Sequence, residues 1–356
     1  MKPVQKILLI NTFGIGDVLF TTPVIANLKR AHPNVALYYL ANRRTVVFLR
    51  QDPRLEKVFV YERDDFIKAQ QESQFLFLKK WRQFFLELRR EKFDCMIDFS
   101  MNRSFSFLAF LLGIRERIGF DYKSRGNFLN RKIPLKGYEG RHVVDYYCDL
   151  LRFLNIPPEN KKLSLYLPAE TQAWAKSWLQ EKGFLSGKGP IAVVPGGGAS
   201  WGRAAALKRW PATKYSQLVG KVVEKSGVPI ILFGDKNEQA LCQEIVEEVK
   251  NPRVTAAGET DLVQFAALLA NCQFALVNDG GPLHMAVALG VRTISLFGPV
   301  DPIVYGPYMI NQHIVVQKHL ACQPCYRRFR MSDCRHQECL NGLSVDDVFR
   351  KVEAVL

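Results

Sequence analysis

Short apolar runs recur along the chain, each closing on a glycine-rich or polar turn and giving way to residues with helical spacing. Residues 7–10 open the series as a strand and end in Asn11-Thr-Phe-Gly-Ile-Gly-Asp17; residues 18–31 then carry helical periodicity. Residues 35–40 and 57–61 read as the next strands, with a helical pattern over 43–50 between them. Residues 66–92 read as a long, charge-laced amphipathic helical region with Phe75, Phe77, Trp81, Phe84, Phe85 and Leu88, most of whose aromatics belong in a core while a few are free to form a surface facing lipid. Residues 93–99 return to strand. Such alternation implies a parallel sheet in an α/β fold. Residues 104–114 are strongly apolar but far short of the roughly 20 needed to span a bilayer, so they read first as a buried helix between Arg103 and Arg115, with contact at a membrane interface as the lesser alternative.

The same grammar returns in the second half. Residues 191–194 lead into Pro195-Gly-Gly-Gly198, residues 229–233 into Gly234-Asp235, and further strands are expected near Val254, over 274–277 and over 293–297. Two Rossmann-like sheets in tandem follow, with a boundary inside 155–188, where Pro157-Pro158, Pro168 and a glycine stretch interrupt the pattern. The expected domains are 1–165 and 166–356, facing across a cleft at the carboxyl ends of their strands.

Charge sharpens this picture. The net charge of +15 is uneven: residues 1–150 hold 26 Lys/Arg against 16 Asp/Glu. A polyanionic partner is implied, whether nucleic acid, an anionic membrane or a phosphorylated substrate, beside the plain reading of a soluble basic surface. With a strand beginning almost at once, no signal peptide is read and a cytoplasmic chain is expected. Four scattered cysteines (Cys95, Cys148, Cys242, Cys272) suit reduced core thiols. The cluster Cys322, Cys325, Cys334 and Cys339, spaced C-x2-C-x8-C-x4-C, leaves structural zinc, free thiols and redox-labile disulfides open.

Candidate chemistry gathers at strand ends. Residues 273–299 read strand, turn, helix, strand, and the turn Asn278-Asp-Gly-Gly-Pro282 presents amides at a helix N-terminus, a site that favours anions, with His284 on the first turn. Gly196 to Gly198 followed by Lys208 supplies the parts of a diphosphate site, although G-x-x-x-x-G-K-[ST] is absent. Glu238, just beyond Gly234, reads equally as a ribose ligand or a solvated helix-face acid. Asp17 reads as a catalytic base at a strand end or as a helix cap.

Taken together, Gly16-Asp17, Lys208-x-Trp210-Pro211, Gly258-Glu-Thr260-Asp-Leu262 and Asp279-Gly-Gly-x-x-His284 resemble the lipopolysaccharide heptosyltransferase family. Arg117-Ile-Gly-Phe120, His142-x-x-Asp145 and Cys322-x-Pro324-Cys325 extend the resemblance over nearly the whole chain. It implies a GT-B fold and an inverting transfer from ADP-heptose to the Kdo or heptose of the lipopolysaccharide inner core. Asp17 then becomes the general base, Lys208 a donor-phosphate contact, Glu238 a ribose ligand and Thr260 part of the adenosine pocket. Asp279, Gly280, Gly281 and His284 frame the sugar and diphosphate, and Arg117 and His142 meet the acidic acceptor. The chain departs from the family at Asn11, where an arginine is common, at Phe13-Gly14, where a serine pair stands, and at Gly280, where a hydroxyl residue stands.

No D-x-D motif is present, so no obligatory metal cofactor is expected, and the basic first half suits an enzyme lying peripherally on the inner membrane. Other readings are a GT-B enzyme using another nucleotide sugar, a sugar-phosphate epimerase, or a non-catalytic polyanion-binding protein. Against the last, no nucleic-acid module is recognisable.

Overall fold

The computed structural model describes residues 4–356 except 186, 188, 198 and 335, and leaves aside the side chains of 199–201, 203, 204 and 310. It divides into two compact units, Met1–Gly137 with Val144–Lys161, and Tyr138–Val143 with Lys162–Leu356. In chain order the first holds β1 (Lys6–Ile10), α1 (Ile15–Leu19), α2 (Thr22–Ala31), β2 (Ala36–Ala41), α3 (Arg43–Leu49), β3 (Leu55–Val60), α4 (Arg63–Glu72), α5 (Gln74–Glu91), β4 (Cys95–Asp98), α6 (Arg103–Leu111), β5 (Glu116–Tyr122) and β6 (Arg131–Leu135). After α7 (Val143–Asp149) the second holds α8 (Ala169–Glu181), β7 (Ile191–Val194), α9 (Ala212–Ser226), β8 (Ile230–Leu232), α10 (Gln239–Val249), β9 (Val254–Ala256), α11 (Leu262–Leu269), β10 (Phe274–Asn278), α12 (Gly281–Leu289), β11 (Arg292–Phe297), α13 (Pro302–Tyr305) and β12 (Ile314–Gln317).

The two large sheets have the same topology. Their strand orders are β3-β2-β1-β4-β5-β6 and β12-β11-β10-β7-β8-β9, and every pairing in both is parallel. Each is the doubly wound order, in which the first and fourth strands lie side by side and the crossovers diverge. Such a point opens a crevice at the carboxyl ends of the strands. In the first unit it lies at Ile10 and Asp98, which pair directly, and in the second at Val194 and Val277. The central strands β1, β4, β7 and β10 are buried almost throughout, as sheets covered on both faces require.

Several expected elements divide or move. The helix expected over 18–31 breaks at Thr21, because Pro23 has no N–H to donate to Leu19; the Thr22 hydroxyl donates there instead, at 2.7 Å. The helical region expected over 66–92 consists of α4 and α5, separated by Ser73, which is extended and caps Phe75 N at 3.1 Å. Helix α6 is buried only on one side: Phe105, Leu108 and Ala109 enter the core while Phe107, Phe110 and Leu111 stay exposed, which corrects the expectation of a buried helix. Among the described residues, no helix is long and apolar enough to cross a membrane.

Candidate active site

The second-unit crevice is built around Asn278, the last residue of β10. Its amide donates to the carbonyls of Pro195 and Gly196 at 2.8 and 3.0 Å and its oxygen accepts from Trp210 N at 3.4 Å, so one buried side chain ties the loop after β7 to the β10 turn. Gly280 comes so close to this loop that a Cβ there would lie 3.0 Å from Gly197 O. That approach leaves little room for a side chain at this position. Two 3-10 segments within Ala199–Lys208, joined across a kink at Gly202, then deliver Lys208, whose ammonium lies 2.6 Å from Asp279 Oδ2 with both side chains buried. Gly198 and the side chains of Ser200, Trp201 and Arg203, part of the expected phosphate loop, lie outside the described residues.

His284 sits on the first turn of α12 and is buried. Burial above all, and then the positive fields of His142 and Lys208, hold its imidazole well below the usual histidine range, so it is neutral at pH 7. The expectation that His142 belongs with the first domain differs from its contacts. Its segment, Tyr138–Val143, groups with the second unit, where His142 Nε2 lies 3.0 Å from Gly306 O and its ring centroid 4.6 Å from that of Tyr308. Lys208, Asp279, Gly280, Gly281, His284 and His142 therefore share one neighbourhood.

Glu238 joins it through Gly196. A Cβ on Gly196 would lie 2.1 Å from the Glu238 carboxylate, so only glycine admits the acid here. Arg209 holds that carboxylate at 2.9 Å and Asp235 N donates to it at 3.3 Å. Glu238 is buried, which removes the solvated helix-face reading. Beside it, Gly234, Gln239, Cys242, Gln243 and Gly258 line a cavity of about 300 Å³ at the ends of β8 and β9. Thr260 is not among its lining residues. It precedes Asp261, which caps α11 through a reciprocal box with Gln264.

In the first unit Asp17 is the third residue of α1, and Gly14 takes the cap position, so Asp17 is not the cap. Asn11 is wholly buried and shapes the loop: its amide donates to Asp17 O at 3.1 Å and its oxygen accepts from Phe13 N at 3.0 Å. Arg117 turns to its own sheet, donating to Phe128 O at 2.7 Å and to Ile114 O. One residue escaped the sequence reading. Asp98 ends β4 beside β1, and burial pushes its carboxyl up to about 7 despite hydrogen bonds from Ser100 N at 2.8 Å and Ser100 Oγ at 2.6 Å. An acid closing the apolar run Cys95-Met-Ile-Asp98 was the available signal.

Of the clustered cysteines, Cys322 is exposed, Cys334 half-buried, and Cys325 and Cys339 buried; all are free thiols. Burial, then the other three thiols, pushes Cys325 up to about 11. Among the described residues no group of three or more His, Cys, Asp or Glu is arranged to hold a metal ion, so the zinc option has no assembled ligand set.

Comparison with known proteins decides the family. The glycosyltransferase family 9 (heptosyltransferase) model matches residues 81–336. The chain belongs to this family. Lipopolysaccharide heptosyltransferase 3 of Escherichia coli is 26% identical over 303 residues, covering 83% of this chain and 84% of the relative. A family 9 glycosyltransferase from Veillonella parvula superposes with a TM-score of 0.78 at 22% identity, over 99% of this chain and 97% of that one. E. coli heptosyltransferase WaaC with ADP gives 0.75 at 21% identity, over 99% and 100%. The family 9 chain is thus a glycosyltransferase with the α/β GT-B fold, its two sheets having the doubly wound order.

Proposed function

We propose that this family 9 enzyme transfers a heptose from ADP-heptose to a Kdo or heptose of the lipopolysaccharide inner core, with inversion. The observation that carries the reading is the Lys208–Asp279 pair, 2.6 Å apart and buried among the glycine turns of the second-unit crevice. A diphosphate entering there meets a lysine already desolvated and the amides at the start of α12, so charge developing on it is stabilised without solvent reorganisation. Glu238 and the adjoining cavity take the ribose and adenine. Gly280 and Gly281 lie against the diphosphate, and neutral His284 donates to or accepts from the sugar.

Asp17 takes the proton of an acceptor hydroxyl. The hydroxyl oxygen forms a bond to the anomeric carbon from the face opposite ADP, and the bond from that carbon to the β-phosphate oxygen breaks with its electron pair leaving on ADP. No metal is needed in this scheme. The proposed division of labour gives the acceptor to residues 1–165 and the nucleotide sugar to 166–356, with Arg117 and His142 serving the acidic acceptor. The enzyme works in the cytoplasm at the inner membrane, where that acceptor is displayed.

The test is a panel of ADP-, UDP- and GDP-sugars with a deacylated core oligosaccharide, scored by released nucleotide and product mass. ADP-heptose is expected to dominate. Release of UDP or GDP at a higher rate would establish the second reading, another nucleotide sugar, which the replacements Asn11 and Gly280 favour. Binding of nucleic acid with no turnover of any donor would leave only the polyanion-binding reading.

A further inference from the structure

We infer that the outward side of α6, with Phe128, is the surface by which this protein docks on an anionic lipid bilayer. The inference rests on the reading above of a membrane-borne acceptor and adds where the protein touches the lipid. Helix α6 satisfies its core with Phe105, Leu108 and Ala109, yet Phe107, Phe110 and Leu111 remain 42%, 52% and 53% exposed on its other side. They are not scattered. The Phe128 ring lies 4.8 Å from that of Phe107 and 5.7 Å from that of Phe110, joining the helix and the β5–β6 loop into one aromatic patch. Contiguous exposed apolar surface of this kind marks an interaction site rather than the ordinary scatter of surface hydrophobics.

Charge around the patch selects the occupant. The Arg103 guanidinium lies 5.6 Å from the Phe128 ring and that of Arg117 5.6 Å from the Phe110 ring, so cations border the aromatics. The loop that carries Phe128 also brings Lys123 and Arg125 within 5.1 and 5.9 Å of the Tyr122 ring. Across residues 101–137 there are eight Lys/Arg against two Asp/Glu, Glu116 and Asp121, and those two are already engaged by Arg131 and Lys132. Aromatic side chains at the centre with cations at the rim match the layering of a bilayer interface, where rings sit at the headgroup level and long basic side chains reach anionic phosphates. A protein partner would need complementary acids around an apolar knob; a bilayer supplies both over any area. The same layer of helices adds Phe75 and Leu78 at the start of α5, 76% and 62% exposed.

The test is co-sedimentation of the whole chain with vesicles of phosphatidylglycerol and phosphatidylethanolamine, and with vesicles of phosphatidylcholine alone, no acceptor being present. The parent is expected to pellet with the anionic vesicles and to be released by salt. Phe107→Ser/Phe110→Ser is expected to bind them roughly tenfold or more weakly, whereas Ile303→Ser, an exposed apolar position of the second unit, binds as the parent does. Parent-like binding by the double variant, or no binding by the parent, overturns the inference. So does a fall in oligomeric mass of the double variant by light scattering, which would assign the patch to a second copy of the chain. Transfer to a deacylated, water-soluble acceptor is measured alongside. Its retention in the double variant separates docking from folding or chemistry, and its loss overturns the inference. Its absence in the parent counts against the heptosyltransferase reading, while the vesicle result still decides the surface.

Discussion

Lys208 Nζ and Asp279 Oδ2 lie 2.6 Å apart, on residues 6% and 4% exposed, one at the end of a 3-10 stretch and the other just past a central strand. Each buried ion costs several kcal/mol to desolvate, so the pair is maintained by the surrounding glycine turns rather than being their source of stability. Removing one partner strands the other. Lys208→Met and Asp279→Asn are each expected to lose roughly 3–5 kcal/mol, and the double variant less than their sum. Urea unfolding checks this, strictly additive losses counting against coupling. Added ADP should raise the Tm of the parent more than that of Lys208→Met.

Asp17→Asn keeps the shape of the first turn of α1 while removing the proton acceptor. Single-turnover transfer is expected to fall by roughly 10²–10⁴-fold, with the Tm shift produced by ADP unchanged from the parent. A parent-like rate would remove Asp17 from the role of base.

Gly196→Ala tests the seat of Glu238. Its Cβ would stand 2.1 Å from the carboxylate, so Glu238 must leave its place beside Arg209. ADP binding measured by calorimetry is expected to weaken by roughly tenfold or more, a cost of the size usual for overpacking. Gly280→Ala, whose Cβ meets Gly197 O at 3.0 Å, should weaken it less. Equal and negligible effects would disconnect both glycines from the nucleotide.

Asp98 makes a prediction about pH. Its carboxyl titrates at about 7 when folded against an ordinary 3.8, so the folded state holds the proton more tightly. The resulting stability is complete below the unfolded value and is lost as pH rises through 7; from pH 5 to 8 the loss is on the order of 2 kcal/mol. In Asp98→Asn the side-chain oxygen can still accept from Ser100 N and Ser100 Oγ, and nothing ionises. The variant is expected to lose less stability than the parent between pH 5 and 8 in urea unfolding. Parallel pH profiles would contradict the assignment.

Both sheets were legible in the sequence because a strand covered on two faces must be apolar along its length, and the run ends where the chain turns. The runs at 7–10, 191–194 and 274–277 could hardly be anything else. Strands β5 and β6, Glu116–Tyr122 and Arg131–Leu135, were not singled out, since Arg117, Arg131 and Lys132 interrupt any apolar run, and neither was the short edge strand β12, Ile314–Gln317. The helix break at Thr21 was missed, where Pro23 withholds its N–H from Leu19 and the Thr22 hydroxyl donates instead, and the position of the boundary at Ser73, whose hydroxyl caps α5, was not marked.

By itself the sequence determined the α/β alternation, most strands of the two sheets and the strand-end segments that carry Asp17, Lys208 and Asp279. All of these follow from local periodicity and from residues whose backbone preferences act within a few positions. Tertiary structure alone decided that Lys208 pairs with Asp279, that Glu238 is buried against Gly196 and Arg209, that Asn278 joins two loops, and that His142 stands with the second unit. It also decided that half of an apolar helix faces solvent. These depend on contacts between residues distant in the chain, and on desolvation, which no window of sequence contains.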